Sequence, residues 1–207
     1  MAEITNIVKS GKDKYSVYLD GSFYCFLNSE TIVKSGFKTG KNVEKADIET
    51  AQFENEKLVA FDKALKYLSA IKSEKQVKDY LFCKGYAAKT VKYVVDKLHE
   101  YNYLNDELYA KAYISNYQHK KGKRLISFEL ESKGVSREII NNLMENFDEN
   151  DEIINALADK FLKNKPKDNK TAKKLMNHLF SKGYSFDKIN KVVKNKFYNF
   201  ESLDEGE

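Results

Sequence analysis

Three hexapeptides recur along the chain at one spacing: LFCKGY at 81–86, LESKGV at 130–135 and LFSKGY at 179–184. Their glycines, Gly85, Gly134 and Gly183, stand 49 residues apart each time. A fixed period of this length is the mark of one supersecondary unit used repeatedly and stacked on copies of itself, and it limits the possible folds more than any other feature here.

The shared register extends beyond the glycines. Ser73, Gly122 and Thr171 open the three copies, and all three residue types suit a helix N-cap. Val77, Ile126 and Leu175 follow four residues later, and Leu81, Leu130 and Leu179 four later again. That line predicts a short helix with one buried stripe. The glycine falls where the helix must stop, because a left-handed residue is least costly as Gly. Tyr86, Val135 or Tyr184 comes next and is expected to pack back on the leucine, so the hexapeptide reads as a helix stop of the Schellman type.

A further helix is predicted after each stop. Ser136 and Ser185 are good N-caps for it, and Ala87 is the weak exception. Its apolar face is Val91, Val94, Val95 and Leu98 in the first copy, Ile140, Leu143, Met144 and Phe147 in the second, and Ile189, Val192 and Val193 in the third. Lys196 interrupts the last stripe, with Phe197 beside it. Helical stretches at 57–70, 106–119 and 152–164 precede the copies, so the unit is three helices, three times over. Between the first two units, YNYLNDELYAKAY (101–113) reads as a connector. Asn102 suits a left-handed C-cap and Asn105 an N-cap, Asp106 and Glu107 sit favourably near the positive helix end, and Leu104 and Tyr109 are spaced as a hydrophobic staple.

The first 56 residues follow another pattern. KYSVYLDGSFYCFL (14–27) predicts two strands around an Asp20–Gly21 turn. ITNIV (4–8) predicts a third strand, SETIVKSGF (29–37) a short capped helix ending near Gly36, and a long helix is expected from Asp47 into the first repeat. So small a piece is marginal alone and is expected to dock on that repeat. The expected fold is mainly α: three tandem three-helix repeats forming an elongated curved body, with a small N-terminal β-hairpin or meander. The expected segments are 1–56 (strand-rich extension), 57–105, 106–151 and 152–200 (repeats), and 201–207 (acidic tail). A single Pro in 207 residues agrees with long helices.

The net charge of +5 is spread unevenly. Residues 57–106 carry +4, 152–197 carry +8, and the last ten carry −4. Only Arg124 and Arg137 are arginines; the other basic residues are lysines, which serve poorly for bidentate base reading. The pattern points to attraction toward a polyanion or an acidic protein rather than to sequence-specific DNA reading. Candidate contact residues are Lys120, Lys121, Lys123 and Arg124, then Lys165, Lys167, Lys170, Lys173, Lys174 and Lys182, then Lys188, Lys191 and Lys194 on the last helix. A solvated face accounts for any one of these lysines, but the summed field of the third repeat would steer association.

Little in the chain suggests catalysis. His99, His119 and His178 have no metal-spaced partners, and His99 and His178 read as rim residues of helices. GFKTGKN (36–42) has the outline of a phosphate loop, but it holds three residues between its glycines rather than four, and Asn42 in place of Ser or Thr after the Lys. A helix stop followed by a turn accounts for it. Glu129 and Glu131 are two apart and do not share a helical face. Cys25 and Cys83 make neither a disulfide framework nor a zinc set; Cys83 stands where the other copies have Ser132 and Ser181, which favours neutral filling. No signal peptide or membrane span is expected, and the reading is a reduced, cytoplasmic protein that is not an enzyme and uses no cofactor or metal.

Three stretches, ALKYLSAIKSEKQVKDYLFCKGY (64–86), YLNDELYAKAYI (103–114) and GKRLISFELESKGVSREII (122–140), resemble the RecX family of recombination regulators. VYLDGSFYCFL (17–27) resembles the strand extension of that family's Gram-positive branch. The resemblance covers essentially the whole chain. It departs at Asn102, where the family usually has Gly, and at Lys72, where Arg is common. It implies tandem three-helix modules in which Gly85, Gly134, Gly183, Leu81, Leu130, Leu179, Asn105 and Asp106 are structural. It also implies a monomer that binds RecA, chiefly as the RecA–DNA filament, and restrains its ATPase, strand-exchange and co-protease activities, in homologous recombination, DNA repair and the SOS response. The alternative is a general DNA-binding helical module that contacts DNA directly and competes for it.

Overall fold

Alternation of apolar and polar residues from Ala2 onward builds a four-stranded antiparallel sheet. Its strands are β1 (Ala2–Gly11), β2 (Lys14–Leu19), β3 (Ser22–Leu27) and β4 (Asn42–Val43), in the order β3-β2-β1-β4. The computed structural model describes residues 1–197; the acidic tail expected at 201–207, and 198–200 of the expected third repeat, lie outside the described residues. Asp20 and Gly21 join β2 to β3 with φ of +49° and +83°, the two positive values that a two-residue type I′ hairpin turn needs. Ile4, Val17, Leu19, Cys25 and Leu27 face inward and are buried with Phe37 and Val43. The short β4, on the free edge of β1, is not legible in the sequence; its pairing joins Ala2 to Val43. The expected short helix is α1 (Ser29–Lys34), capped by Asn28 through a bond from the Thr31 amide.

The long helix expected from Asp47 is α2 (Lys45–Tyr67), begun by a capping box between Glu44 and Asp47. Its first half lends Ile48 and Ala51 to the sheet's core, which is how the extension docks. Its second half lends Ala60 and Ala64 to the first helical core, with Val77 and Leu81 from α3 (Glu74–Cys83) and Val91, Val94, Val95 and Leu98 from α4 (Ala88–Glu100). A second core gathers Tyr109 and Ala110 of α5 (Asp106–Tyr117), Ile126 and Leu130 of α6 (Lys123–Ser132), Val135, and Ile140 and Met144 of α7 (Arg137–Glu145). A third gathers Ile154 and Ala158 of α8 (Asp151–Leu162), Leu175 and Leu179 of α9 (Asn169–Ser181), Tyr184, and Ile189, Val192 and Val193 of α10 (Phe186–Lys196), closed by Phe197. Full burial of each Leu or Ile contributes about 2 kcal/mol, against about 1 kcal/mol for an N-cap, so the leucine anchors fix the helices and the caps trim their ends.

The chain divides into two compact units. The first is Met1–Ile71 with Val77–Leu104; the second is Lys72–Gln76 with the chain from Asn105. Leu104 is buried in the first helical core and Tyr109 in the second.

The expected caps are largely in place. Asn102 has φ +58°, and Asn105 accepts the Leu108 amide. Ser136 accepts from Ile139, and Ala87 caps α4 with no side-chain bond. Two expectations need correction. Thr171 is not the N-cap of α9: Asp168 is, accepting the Thr171 amide at 2.7 Å. Asp is the better cap, so the helix starts a turn earlier and Thr171 is buried inside it. Ser185 stands at the N-cap of α10, but its hydroxyl makes no capping bond; it donates to Glu149 instead, at 2.9 Å.

Candidate functional site

Each repeat's second helix ends in the same two bonds. The Tyr86, Val135 and Tyr184 amides donate to the Leu81, Leu130 and Leu179 carbonyls, and the Gly85, Gly134 and Gly183 amides to the carbonyls of Phe82, Glu131 and Phe180. This is the Schellman pattern, with glycine φ of +85°, +88° and +88°.

Within the second unit, two of these turns are also contact surfaces. Ser73 donates its hydroxyl to the Lys133 carbonyl at 2.6 Å; its counterpart one repeat on, Gly122, donates its backbone amide to the Lys182 carbonyl at 2.9 Å. Lys75 Nζ donates to the Ser132 carbonyl at 2.9 Å, and its counterpart Arg124 to the Phe180 carbonyl at 3.1 Å. The Arg124 guanidinium also lies 3.7 Å from the Phe180 ring centroid. A Cβ on Gly134 would come within 2.5 Å of Lys75 Cβ, and one on Gly183 would run into Leu125. A Cβ on Gly122 would lie 2.5 Å from the Gly183 backbone, so this residue is glycine for close approach as well as for capping.

A carboxylate secures each of these helix starts. Asp106 accepts the Glu74 amide at 2.8 Å. Glu149, only 8% exposed, accepts the Lys123 amide at 3.0 Å, the Ser185 amide at 3.2 Å and the Ser185 hydroxyl. Sequence reasoning missed Glu149. Its partners lie 26 and 36 residues away, and no local pattern marks it.

The candidate basic residues fall into three groups. Lys121, Lys188 and Lys191 are paired. Lys121 Nζ sits 2.7 Å from both Glu129 oxygens, while Lys188 and Lys191 share Asp151 at 2.5 and 2.7 Å. Those two lysines hold the Asp151 carboxyl down at about 2. Arg124 and Lys165 cover aromatic rings, Lys165 Nζ lying 3.2 Å from the centre of Phe161. Phe161 in turn stacks on half-buried His178, whose pKa is lowered by burial and by the charges of Lys182 and Lys165. Lys120, Lys123, Lys167, Lys170, Lys173, Lys174, Lys182 and Lys194 have no ion-pair partner among the described residues, and all but half-buried Lys182 are exposed. Four of them, Lys167, Lys170, Lys173 and Lys174, run from the loop after α8 into the first turns of α9.

Three family models match the chain: those of the first, second and third three-helix domains of RecX, over residues 60–98, 105–144 and 148–193. A regulatory protein RecX from Clostridium perfringens (strain SM101) is 34% identical over 203 residues, covering 94% of this chain and 96% of the relative. The chain belongs to the RecX family. Further RecX relatives include one from Clostridium botulinum (strain Alaska E43), 33% identical across 99% of this chain and all of its own. Another, from Bacillus subtilis, is 30% identical over 69% of this chain and 55% of its own. A crystal structure of a regulatory protein RecX shares the fold at TM-score 0.69 and 22% identity, covering 94% of this chain and 100% of that one. RecX from Lactobacillus salivarius shares it at 0.61 and 23%, over 69% and 97%. The three RecX domains coincide with the three helical cores, and the family's role is regulatory.

The remaining RecX side chains that suggested chemistry are accounted for by packing. Lys41 Nζ donates to the Ser35 and Gly36 carbonyls, so the GFKTGKN lysine closes a helix end. Glu129 accepts from Lys121 and from the Tyr113 hydroxyl, whereas Glu131 pairs with Arg137, so the two carboxylates have separate partners. Burial pushes the Glu129 carboxyl up, but the Lys121 and Tyr113 bonds outweigh it and leave it below its ordinary value. Cys25 is buried, its thiol pushed up to about 11 by burial, and Cys83 is exposed. Among the described residues no three His, Cys, Asp or Glu side chains group as metal ligands, and no helix is long and apolar enough to cross a membrane.

Proposed function

We propose that this RecX-family protein binds the RecA nucleoprotein filament as a cytoplasmic monomer and restrains its ATPase, strand-exchange and co-protease activities, with the unpaired lysines of the third repeat at the contact. The observation that carries this reading is the run Lys167, Lys170, Lys173 and Lys174, exposed and without carboxylate partners among the described residues, in a family of regulators. Paired lysines are already neutralised and add little field; unpaired ones steer association with an anionic body and are screened by salt. Restraint then needs no catalytic group: a protein lodged on the filament blocks subunit motion or entry of the duplex.

A second reading, competition for the DNA itself, is favoured by the Lys165–Phe161–His178 stack, since basic residues interleaved with rings suit single strands. One titration separates the two. RecA ATP hydrolysis on single-stranded DNA is measured against this protein, with bare-DNA binding followed in the same buffer. Inhibition far below the concentration that coats bare DNA is the expected result. Inhibition only when the DNA is coated would favour competition. Replacing Lys170, Lys173 and Lys174 together by Glu should weaken inhibition by about tenfold or more while leaving the helical circular dichroism unchanged; unchanged inhibition would remove these lysines from the contact.

A further inference from the structure

Two of the three lysine–glycine turns receive an object of the same kind. It is the start of a helix, preceded by a small residue (Ser73 or Gly122) and carrying a basic side chain at its second position (Lys75 or Arg124), which donates to a carbonyl near the end of the receiving helix. The third turn, at Gly85, has the same backbone: φ is +85°, and the Tyr86 amide donates to Leu81 and the Gly85 amide to Phe82. Yet an added Cβ on Gly85 would meet nothing among the described residues within 4 Å. Lys84 is exposed where Lys133 and Lys182 are half-buried, and Tyr86 is half-buried where Val135 and Tyr184 are both 2% exposed. Phe82 holds the place that Phe180 holds beneath Arg124.

We propose that the turn formed by residues 82–86 is an open copy of this docking site, and that it receives the start of a helix from a RecA subunit of the filament. The inference rests on the RecA reading above and names the contact within it. The occupant's chemistry is set by the two filled copies: a helix start preceded by Ser or Gly, which donates a hydroxyl or a backbone amide to the turn, and Lys or Arg at its second position, placed to donate to the backbone at Phe82–Lys84 and to stack on the Phe82 ring.

A second copy of this chain is the wrong occupant. The register that supplies Ser73–Lys75 and Gly122–Arg124 falls in the third repeat on Thr171–Lys173. There α9 begins at Asn169 with Asp168 as its cap, the Thr171 amide is bonded to Asp168, and residue 173 lies inside the helix. Thr171 is thus buried inside the helix rather than standing before its first turn, so the third repeat presents no helix start in the register that the turn accepts.

Gly85→Asn tests the proposal with the full chain. Asn occupies left-handed positions in this protein at Asn102 and Asn164, with φ of +58° and +62°, so the turn keeps its shape while a side chain enters the docking space. Co-sedimentation with RecA on single-stranded DNA is measured for the wild type and the variant, with circular dichroism as the check on folding. The expected result is a folded variant whose filament affinity drops by about tenfold or more. A folded variant that binds as the wild type does overturns the docking turn and leaves the RecA reading standing. If the wild type itself does not co-sediment, both fall. Should Gly85→Asn not fold, the wild-type protein carrying a polyethylene glycol maleimide on exposed Cys83, beside the turn, decides the matter: undiminished binding overturns the proposal, and a comparable loss supports it.

Discussion

A Cβ added at Gly183 would run into the backbone and Cβ of Leu125, whereas the same atom added at Gly85 would meet nothing among the described residues within 4 Å. The two turns share five of six letters, the same pair of backbone bonds and nearly the same φ. Glycine is required at both by backbone conformation, but only at Gly183 is it also required by a neighbour. One motif therefore carries two separable demands, and substitution can separate them.

The largest effect is expected at Gly183. Gly183→Ala adds about 1–2 kcal/mol of left-handed strain to about 1–3 kcal/mol of overpacking against atoms that cannot swing away. A total of a few kcal/mol is a large share of a domain's stability. Thermal melting with peptide-resolved hydrogen exchange should show α6, α9 and α10 losing protection. Glu149→Ala should come next. It strands the Lys123 amide and both Ser185 donors, at about 2–3 kcal/mol for buried groups left unpaired, and loosens the same segments. Gly85→Ala should cost only about 1–2 kcal/mol, the strain of the backbone alone. If Gly85→Ala destabilises as much as Gly183→Ala, the distinction between an open and an occupied turn fails.

The local half of this comparison was legible in the sequence and the tertiary half was not. Leucine, glycine and the following apolar residue lie within six positions, so one short window contains the whole Schellman ending. Asn102, Asn105 and the Asp20–Gly21 turn are legible for the same reason: their partners are a few residues away. Glu149, the Lys75 and Arg124 contacts and the role of Gly122 all depend on residues 26 to 60 positions distant, which no window spans. Thr171 was misplaced because Asp168, three residues earlier, is a better cap than the 49-residue register allows for. The charge run was visible as a run. That Asp151 neutralises Lys188 and Lys191, while Lys170, Lys173 and Lys174 have no ion-pair partner among the described residues, follows from how α8 and α10 pack, 37 and 40 residues apart.

The smallest effect contrasts the first and third repeats through pH. Lys188 stands one position in the repeat from which Thr90 is two periods back. Both tie the start of the third helix to the first helix, Lys188 through Asp151 at 2.5 Å and Thr90 through Glu56, also at 2.5 Å. The bonds from Lys188 and Lys191 lower the Asp151 carboxyl to about 2, from an ordinary value of 3.8. A carboxyl lowered by folding binds its proton more readily in the unfolded chain. Its stabilisation is therefore complete above pH 3.8, declines as pH falls toward 2, and is gone below that. Asp151 is partly exposed, so salt screens the pair and the contribution is modest. Asp151→Asn should lower the melting temperature slightly at pH 7 and not at all well below pH 2, with the change in protection confined to α8 and α10. A difference that persists at the acid end would mean that the link works by shape and hydrogen bonding rather than by charge, and the third repeat would then be held to its first helix much as Thr90 and Glu56 hold the first.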